Sequence, residues 1–193
     1  MAYRRGFKTE AHALAVEVRA ELGLNPIDRL DPFKLADHLE IPVLPLTALR
    51  EKNPACVRHF TQLEPEAFSG VTVFSGQRRM IVYNDAHVSG RQHSDVAHEL
   101  AHALLMHPPA HALDEGGCRN WNADLEDEAN FLGAALLVTE EAALEVVRRN
   151  LTIAHAAEIY GVTPKLMQWR INATGAHKRI QRSRDYRRQR SVG

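Results

Sequence analysis

Three residues in the segment SDVAHELAHALLMH (94–107) have the types and spacing to hold a metal ion and use it. His98, Glu99 and His102 form H-E-x-x-H. On a helix, residues four apart lie on one face, so the two imidazoles can bind a single zinc ion. Glu99, one residue along, then stands beside the open coordination position, where a carboxylate can take a proton from an activated water. Val96, Ala97, Leu100, Ala101, Leu104 and Leu105 surround the triad with apolar side chains. They predict a buried helix with Ser94 or Asp95 as its cap. Polar groups inside so apolar a helix cost free energy unless they are satisfied, so the triad needs a reason. The motif alone is not decisive. With 11 histidines in 193 residues it arises in roughly one shuffled sequence in 20.

A catalytic zinc needs a third protein ligand. The extended motif with a further histidine six residues on is absent, because that position is Pro108. His107 and His111 follow, but the prolines between them indicate that the chain has left the helix. Both are expected at the surface rather than at the metal. The better source is the segment DLEDEANFLGAALLV, which carries Glu126, Asp127 and Glu128 near its start. At helical spacing Glu126, Asn130 and Gly133 share one stripe, and small residues there would let two helices approach closely. Spacing favours Glu126 as ligand. Asp127 and Glu128 are expected only to complement the helix dipole in the first turn.

The elements that must position these groups can be read in outline. Residues 9–23 place Ala11, Leu14, Ala15, Val18 and Leu22 at helical spacing. Asp31 and Pro32 mark a cap and first position for a short helix, and Ile41 to Leu46 reads as an edge strand because of its prolines. Residues 47–66 are polar and irregular. AFSGVTVFSGQRRMIVYND reads as a hairpin turning at SGQ. Helices are expected over 124–138 and 140–149. TIAHAAEIYGVTPKLMQWRINATG has helix–turn–helix spacing, with Gly161 in the turn and Thr163–Pro164 opening the second helix. The expected fold is α+β: a mostly helical zincin-like core, a small antiparallel sheet and a C-terminal helix–turn–helix-like segment. Residues 1–150 would form the metallopeptidase domain, 151–176 a helical extension packed on it, and 177–193 a tail.

The net charge of zero conceals an asymmetry. The last 17 residues carry Lys178, Arg179, Arg182, Arg184, Arg187, Arg188 and Arg190 against Asp185, a balance of +6, which leaves −6 on residues 1–176. A like-charge block of this kind is expected to be solvated and disordered, although it could also touch nucleic acid. Cys56 and Cys118 form no CxxC pair, which argues against a disulfide framework or cysteine-based zinc site and for reduced thiols in the cytoplasm. No apolar region follows the basic residues at the N-terminus, so no signal peptide is expected. FLGAALLV is too short to span a membrane.

Taken in order, these segments resemble the ImmA/IrrE family of zinc metallopeptidases. The resemblance runs over about residues 10–175, through ALAVEVRAELGLNP, DPFKLADHLEIPV, FSGVTVFSGQRRMIVYND, RQHSDVAHELAHALLMH and AEIYGVTPKLMQWRI. EDEANFLGAALLVTEE is similar to the family's E-x-x-A-N-x-F-A-x-x-L-L-M-P, with LLVT in place of LLMP. The resemblance implies a hydrolase with His98 and His102 as zinc ligands, Glu99 as catalytic glutamate and Glu126 as third ligand. It also implies a protein substrate, a helix–turn–helix repressor of a mobile element or stress regulon that is cleaved or inactivated. The length fits the minimal form, without an extra sensory domain. Tyr83, His155 and Tyr160 are candidates to steady an oxyanion or contact substrate. Mn²⁺ or another divalent ion could replace zinc, since two histidines and a carboxylate do not fix the metal.

Two rival readings stand beside this one. A DNA-binding regulator would use residues 153–172 and the basic tail. Its recognition helix, TPKLMQWRI, offers only Lys165 and Arg170, whereas base reading calls for several polar side chains near the helix start. A zinc-binding toxin or antitoxin partner without peptidase activity would differ only in lacking Glu99-dependent cleavage.

Overall fold

The computed structural model describes residues 3–76, 78–108 and 122–191. Its first helix, α1 (Phe7–Glu21), buries Phe7, Ala11, Ala15 and Val18 along one stripe. The helix α2 (Pro32–His38) begins as its sequence indicates. Asp31 accepts from the Phe33 N–H at 3.0 Å, and Pro32 occupies the first turn. Then come β1 (Val43–Pro45), a set of short helical turns that includes α3 (Pro54–Arg58), and the hairpin β2 (Gly70–Ser75) and β3 (Arg78–Tyr83). The polar stretch 47–66 is therefore largely helical turns rather than irregular loop. Asn53 and the two prolines at 54 and 65 start those turns.

The sheet is mixed, not purely antiparallel. Its order is β1-β3-β2. The hairpin pairs antiparallel, with Thr72 opposite Ile81. β1 pairs parallel to β3, with Val43 opposite Ile81. Parallel neighbours need a long connection rather than a tight turn, and the chain from Pro45 to Arg78, which includes β2, supplies it. β2 is consequently an edge strand.

The remaining helices are α4 (Ser89–Leu104), α5 (Ala123–Leu137), α6 (Glu140–Arg148), α7 (Ile153–Tyr160), α8 (Pro164–Ala173) and α9 (Ala176–Ser191). α5 is the centre of the core. Phe131, Leu132, Ala135, Leu136 and Leu137 are all essentially inaccessible. Each large apolar side chain so buried contributes about 2 kcal/mol relative to exposure. Tyr3, Phe7 and Trp169 surround Phe131 with ring centroids 5.4, 5.9 and 6.0 Å away. Residues 151–176 join the same core through Ala156, Tyr160, Met167 and Ile171. Gly161 turns between α7 and α8 at φ 65, with the Arg29 guanidinium packed where a side chain would stand.

The basic terminus differs from expectation, since 176–191 is a helix. Ala176 and Ile180 are buried, and Arg179 reaches Glu140 on α6 at 2.5 Å. Its arginines, lysine and glutamines are good helix formers. Docking of the first two turns gives the segment the tertiary support that a like-charge block otherwise lacks.

Candidate metal centre

α4 starts earlier than its apolar pattern suggests, at Ser89 rather than near Ser94. Tertiary contacts supply the extra turn. Gln92 donates to the carbonyls of Asp85 and His87, and His93 Nδ1 lies 2.7 Å from the Gly161 carbonyl. Gly90 is required there, because an added Cβ would stand 2.7 Å from the Val162 backbone. Asp95 holds His87 Nδ1 at 2.9 Å instead of capping the helix.

α4 crosses α5 at Gly133. A Cβ on Gly133 would stand 3.0 Å from the Ala97 carbonyl oxygen and 3.1 Å from the His98 Cα. This close approach brings the Glu126 stripe against the two histidines. His98 Nε2 and His102 Nε2 lie 3.2 Å apart. Glu126 Oε2 is 3.2 Å from His98 Nε2, and Glu126 Oε1 is 3.6 Å from His102 Nε2. One ligand atom from each of the three residues thus lies within 4.8 Å of the other two, with the two Glu126 oxygens each turned to a different imidazole.

These separations can be tested against zinc. Zn–N and Zn–O bonds of about 2.0–2.1 Å in tetrahedral geometry set ligand atoms about 3.3 Å apart. The 3.2 Å separation of the two imidazole nitrogens is close to that value, and each has a Glu126 oxygen at 3.2 or 3.6 Å, so this donor set fits the ion. Glu128, the alternative carboxylate, does not join the group but turns to Arg4 and His107.

The electrostatics agree with the geometry. His102 and His98 hydrogen-bond Glu126 and hold its carboxyl down at about 2. Burial disfavours charge on His98, but Glu126 and Glu99 outweigh it and raise the imidazole above its ordinary value. Such a mutual arrangement of charge is what a divalent ion would replace. His98 Nδ1 is buried, and Asn130 on α5 also raises the imidazole through a side-chain hydrogen bond.

Glu99 points to the sheet side. Thr72 Oγ1 on β2 donates to Glu99 Oε2 at 2.5 Å, and a Cβ on Gly70 would be 3.6 Å from Glu99 Cγ. Sequence reasoning missed Thr72. Its only signal is period two, which puts Gly70 and Thr72 on one face of the strand. It also missed the burial of His107. That residue is 9% exposed, with Nδ1 2.9 Å from His102 Nδ1. His111 and Cys118 lie outside the described residues, and Cys56 is a half-buried free thiol.

The three oxyanion candidates have partners of their own, and Tyr83 lies on the strand position opposite Gly70. The Tyr160 hydroxyl donates to the Ile27 carbonyl at 3.1 Å inside the core, which takes it away from any exposed substrate. His155 is exposed on α7, with Glu158 3.7 Å away. Tyr83 stacks edge-on against Phe33 at 5.3 Å. No hydrogen bond, ion pair or ring contact joins any of them to His98, Glu99, His102 or Glu126 among the described residues.

A comparison with curated protein sequences finds no match. A family model does match: Peptidase_M78, described as the IrrE N-terminal-like domain, over residues 55–172. That span runs from α3 to α8 and contains both helices of the candidate centre. More than half of the chain is covered, and the chain belongs to the IrrE N-terminal-like Peptidase_M78 family.

Proposed function

We propose that the protein is a zinc-dependent endopeptidase in which His98, His102 and Glu126 hold the ion and Glu99 is the general base. The observation that carries this reading is that two imidazoles and a carboxylate from two helices come together, with the imidazole nitrogens 3.2 Å apart and a glutamate one residue along. A divalent ion held there supplies Lewis acidity, which polarises a peptide carbonyl and makes a water more acidic.

The chain's own residues do the rest. Thr72 holds Glu99 through Oε2, so Oε1 is the oxygen that takes the proton as water attacks. Glu99 then gives that proton to the leaving amine, and the peptide C–N bond breaks. β2 is an edge strand beside Glu99, so an extended substrate can pair with its outer backbone groups. The substrate we propose, on the family resemblance, is a helix–turn–helix repressor, and the proposed site of reaction is the cytoplasm. No helix among the described residues is long and apolar enough to cross a membrane. The test is co-incubation of the zinc-loaded protein with a repressor encoded beside it. The reading expects discrete fragments from wild type and none from Glu99→Gln. Equal cleavage by both would refute it, and absence of cleavage by either would favour a non-catalytic zinc-binding partner.

One observation keeps the DNA-binding reading in view: α9 displays Lys178, Arg179, Arg182 and Arg184 on exposed positions. The presumptive recognition helix argues the other way. Arg170 is fully buried, and its Nε donates to the Val138 carbonyl at 2.7 Å, so α8 has only Lys165 among its basic residues to offer a duplex. Duplex binding that falls steeply with salt and survives loss of the metal ligands would support a regulator.

A further inference from the structure

We propose that His107 and Glu128 are positioning residues that fix the tautomer of His102, directing its Nε2 lone pair into the metal centre. The proposal rests on the metal-centre reading above.

The backbone brings His107 into place. α4 ends in a Schellman turn: the His107 N–H bonds the His102 carbonyl at 3.0 Å, and the Met106 N–H bonds the Ala103 carbonyl at 3.1 Å. Met106 occupies the left-handed position at φ 53, where glycine is the ordinary choice. Its side chain is 84% exposed, so no packing of its own accounts for that conformation. What the turn achieves is to fold His107 back over His102, ring centroids 5.0 Å apart. In most Schellman turns these two positions make an apolar contact. Here they make a contact between ring nitrogens.

A hydrogen bond between two imidazole nitrogens needs one donor and one acceptor. The carboxylate on the far side decides which is which. Glu128 Oε2 lies 3.5 Å from His107 Nε2, which has no hydrogen-bond partner among the described residues. A carboxylate only accepts, so the His107 proton is favoured on Nε2 and the lone pair on Nδ1. His107 Nδ1 then accepts from His102 Nδ1–H. A neutral His102 with its proton on Nδ1 carries its lone pair on Nε2, the nitrogen that faces His98 and Glu126. The other Glu128 oxygen accepts from Arg4 Nε at 3.0 Å, and Arg4 is itself forked onto Glu10, so the carboxylate is held from both sides. His98 is supported differently, by Asn130 on α5 rather than by a second imidazole.

The test compares full-length wild type with His107→Phe, which keeps the ring and removes both nitrogens, and His107→Asn, whose Oδ1 stands near the place of Nδ1 and can accept. Glu128→Leu keeps volume and removes the acceptors, so it carries the test if His107→Phe does not fold. Zinc affinity is read by competition with a chelator, and the His102 tautomer by long-range ¹⁵N–¹H NMR of the metal-free protein. We expect His107→Phe and Glu128→Leu to lose about 10- to 100-fold in zinc affinity, the usual effect of removing such an outer partner. The His102 proton should shift from Nδ1 toward Nε2 in both, and His107→Asn should recover most of the loss. Wild-type affinity in His107→Phe with His102 unchanged would overturn the proposal. So would an equal loss in the Phe and Asn variants, which would make the role one of packing. Failure of the underlying metal reading is distinguishable: wild type would then bind no zinc, or bind it no more tightly than His98→Ala.

Discussion

Both ends of α5 bury charge, and the two ends handle it differently. At the C-terminal end, Arg19 and Arg170 are fully inaccessible. Arg19 Nη2 donates to the Leu137 carbonyl at 3.3 Å and Arg170 Nε to the Val138 carbonyl at 2.7 Å. These cations sit on the carbonyls that a helix end leaves unpaired, where the dipole favours positive charge. Burial is the main cause of both guanidinium pKa values falling to about 10. At the N-terminal end, Glu126 and Glu128 face side chains that can each change partner: His98, His102 and His107. Charge paired with backbone fastens a fold. Charge paired with convergent lone pairs, partly open to solvent, is where an ion or a reaction can enter.

The largest effect expected at the reactive end comes from Glu99→Gln. It should lower cleavage by about 1,000-fold, within the usual range for a general base, while zinc affinity changes less than about threefold. A variant that lost zinc instead would move Glu99 from base to ligand. At the other end, Arg170→Ala should cost about 3 kcal/mol of stability through the lost packing and the orphaned Val138 carbonyl, read by urea unfolding, with zinc affinity intact. Loss of zinc at unchanged stability would erase the distinction between the ends.

Acidification separates them further. Glu126 is held at about 2, so in the metal-free protein its contribution to stability is present above the ordinary carboxyl value and disappears only as pH falls through about 2. His98 is raised, so its contribution is present below the ordinary imidazole value and disappears as pH rises through the raised one. A proton on His98 competes directly with the ion, and one on Glu126 does not above about pH 4. The His98 proton alone should therefore lower zinc affinity roughly tenfold for each pH unit below its raised value, so the fall is at least that steep. A titration that stayed flat from pH 8 to pH 5 would contradict this.

Smaller effects refine the contrast. Thr72→Val should lower kcat about tenfold, the worth of one hydrogen bond to a charged group, with stability and zinc affinity nearly unchanged. An increase in KM alone would assign Thr72 to substrate binding instead. Met106→Gly should raise stability by up to about 1 kcal/mol by relieving the left-handed residue, seen as a higher Tm. A lower Tm would mean that Met106 itself is needed.

Much of the reactive end was legible because its signals are local. Four-residue spacing placed His98 and His102 on one face, and the Glu126–Asn130–Gly133 stripe anticipated the close crossing at Gly133. Asp31 and Pro32 marked their helix start for the same reason. What escaped depends on partners distant in sequence or on conformations that residue type conceals. Met106 does not advertise a left-handed turn, so His107 read as a surface histidine. Thr72 matters only because the hairpin lies against α4. The terminal basic block read as disorder because Glu140 and the pocket for Ile180 belong to other elements. Tyr160 read as a candidate for substrate, yet its hydroxyl belongs to Ile27, far back in the chain.

The central claim is that α4 and the N-terminal end of α5 form one metal centre. It is tested most directly by zinc titration of wild type and Glu126→Ala under chelator competition. The account predicts one ion per wild-type chain and a loss of affinity in Glu126→Ala beyond the roughly 100-fold that an outer partner can cost. A Glu126→Ala protein that bound zinc as tightly as wild type would contradict it.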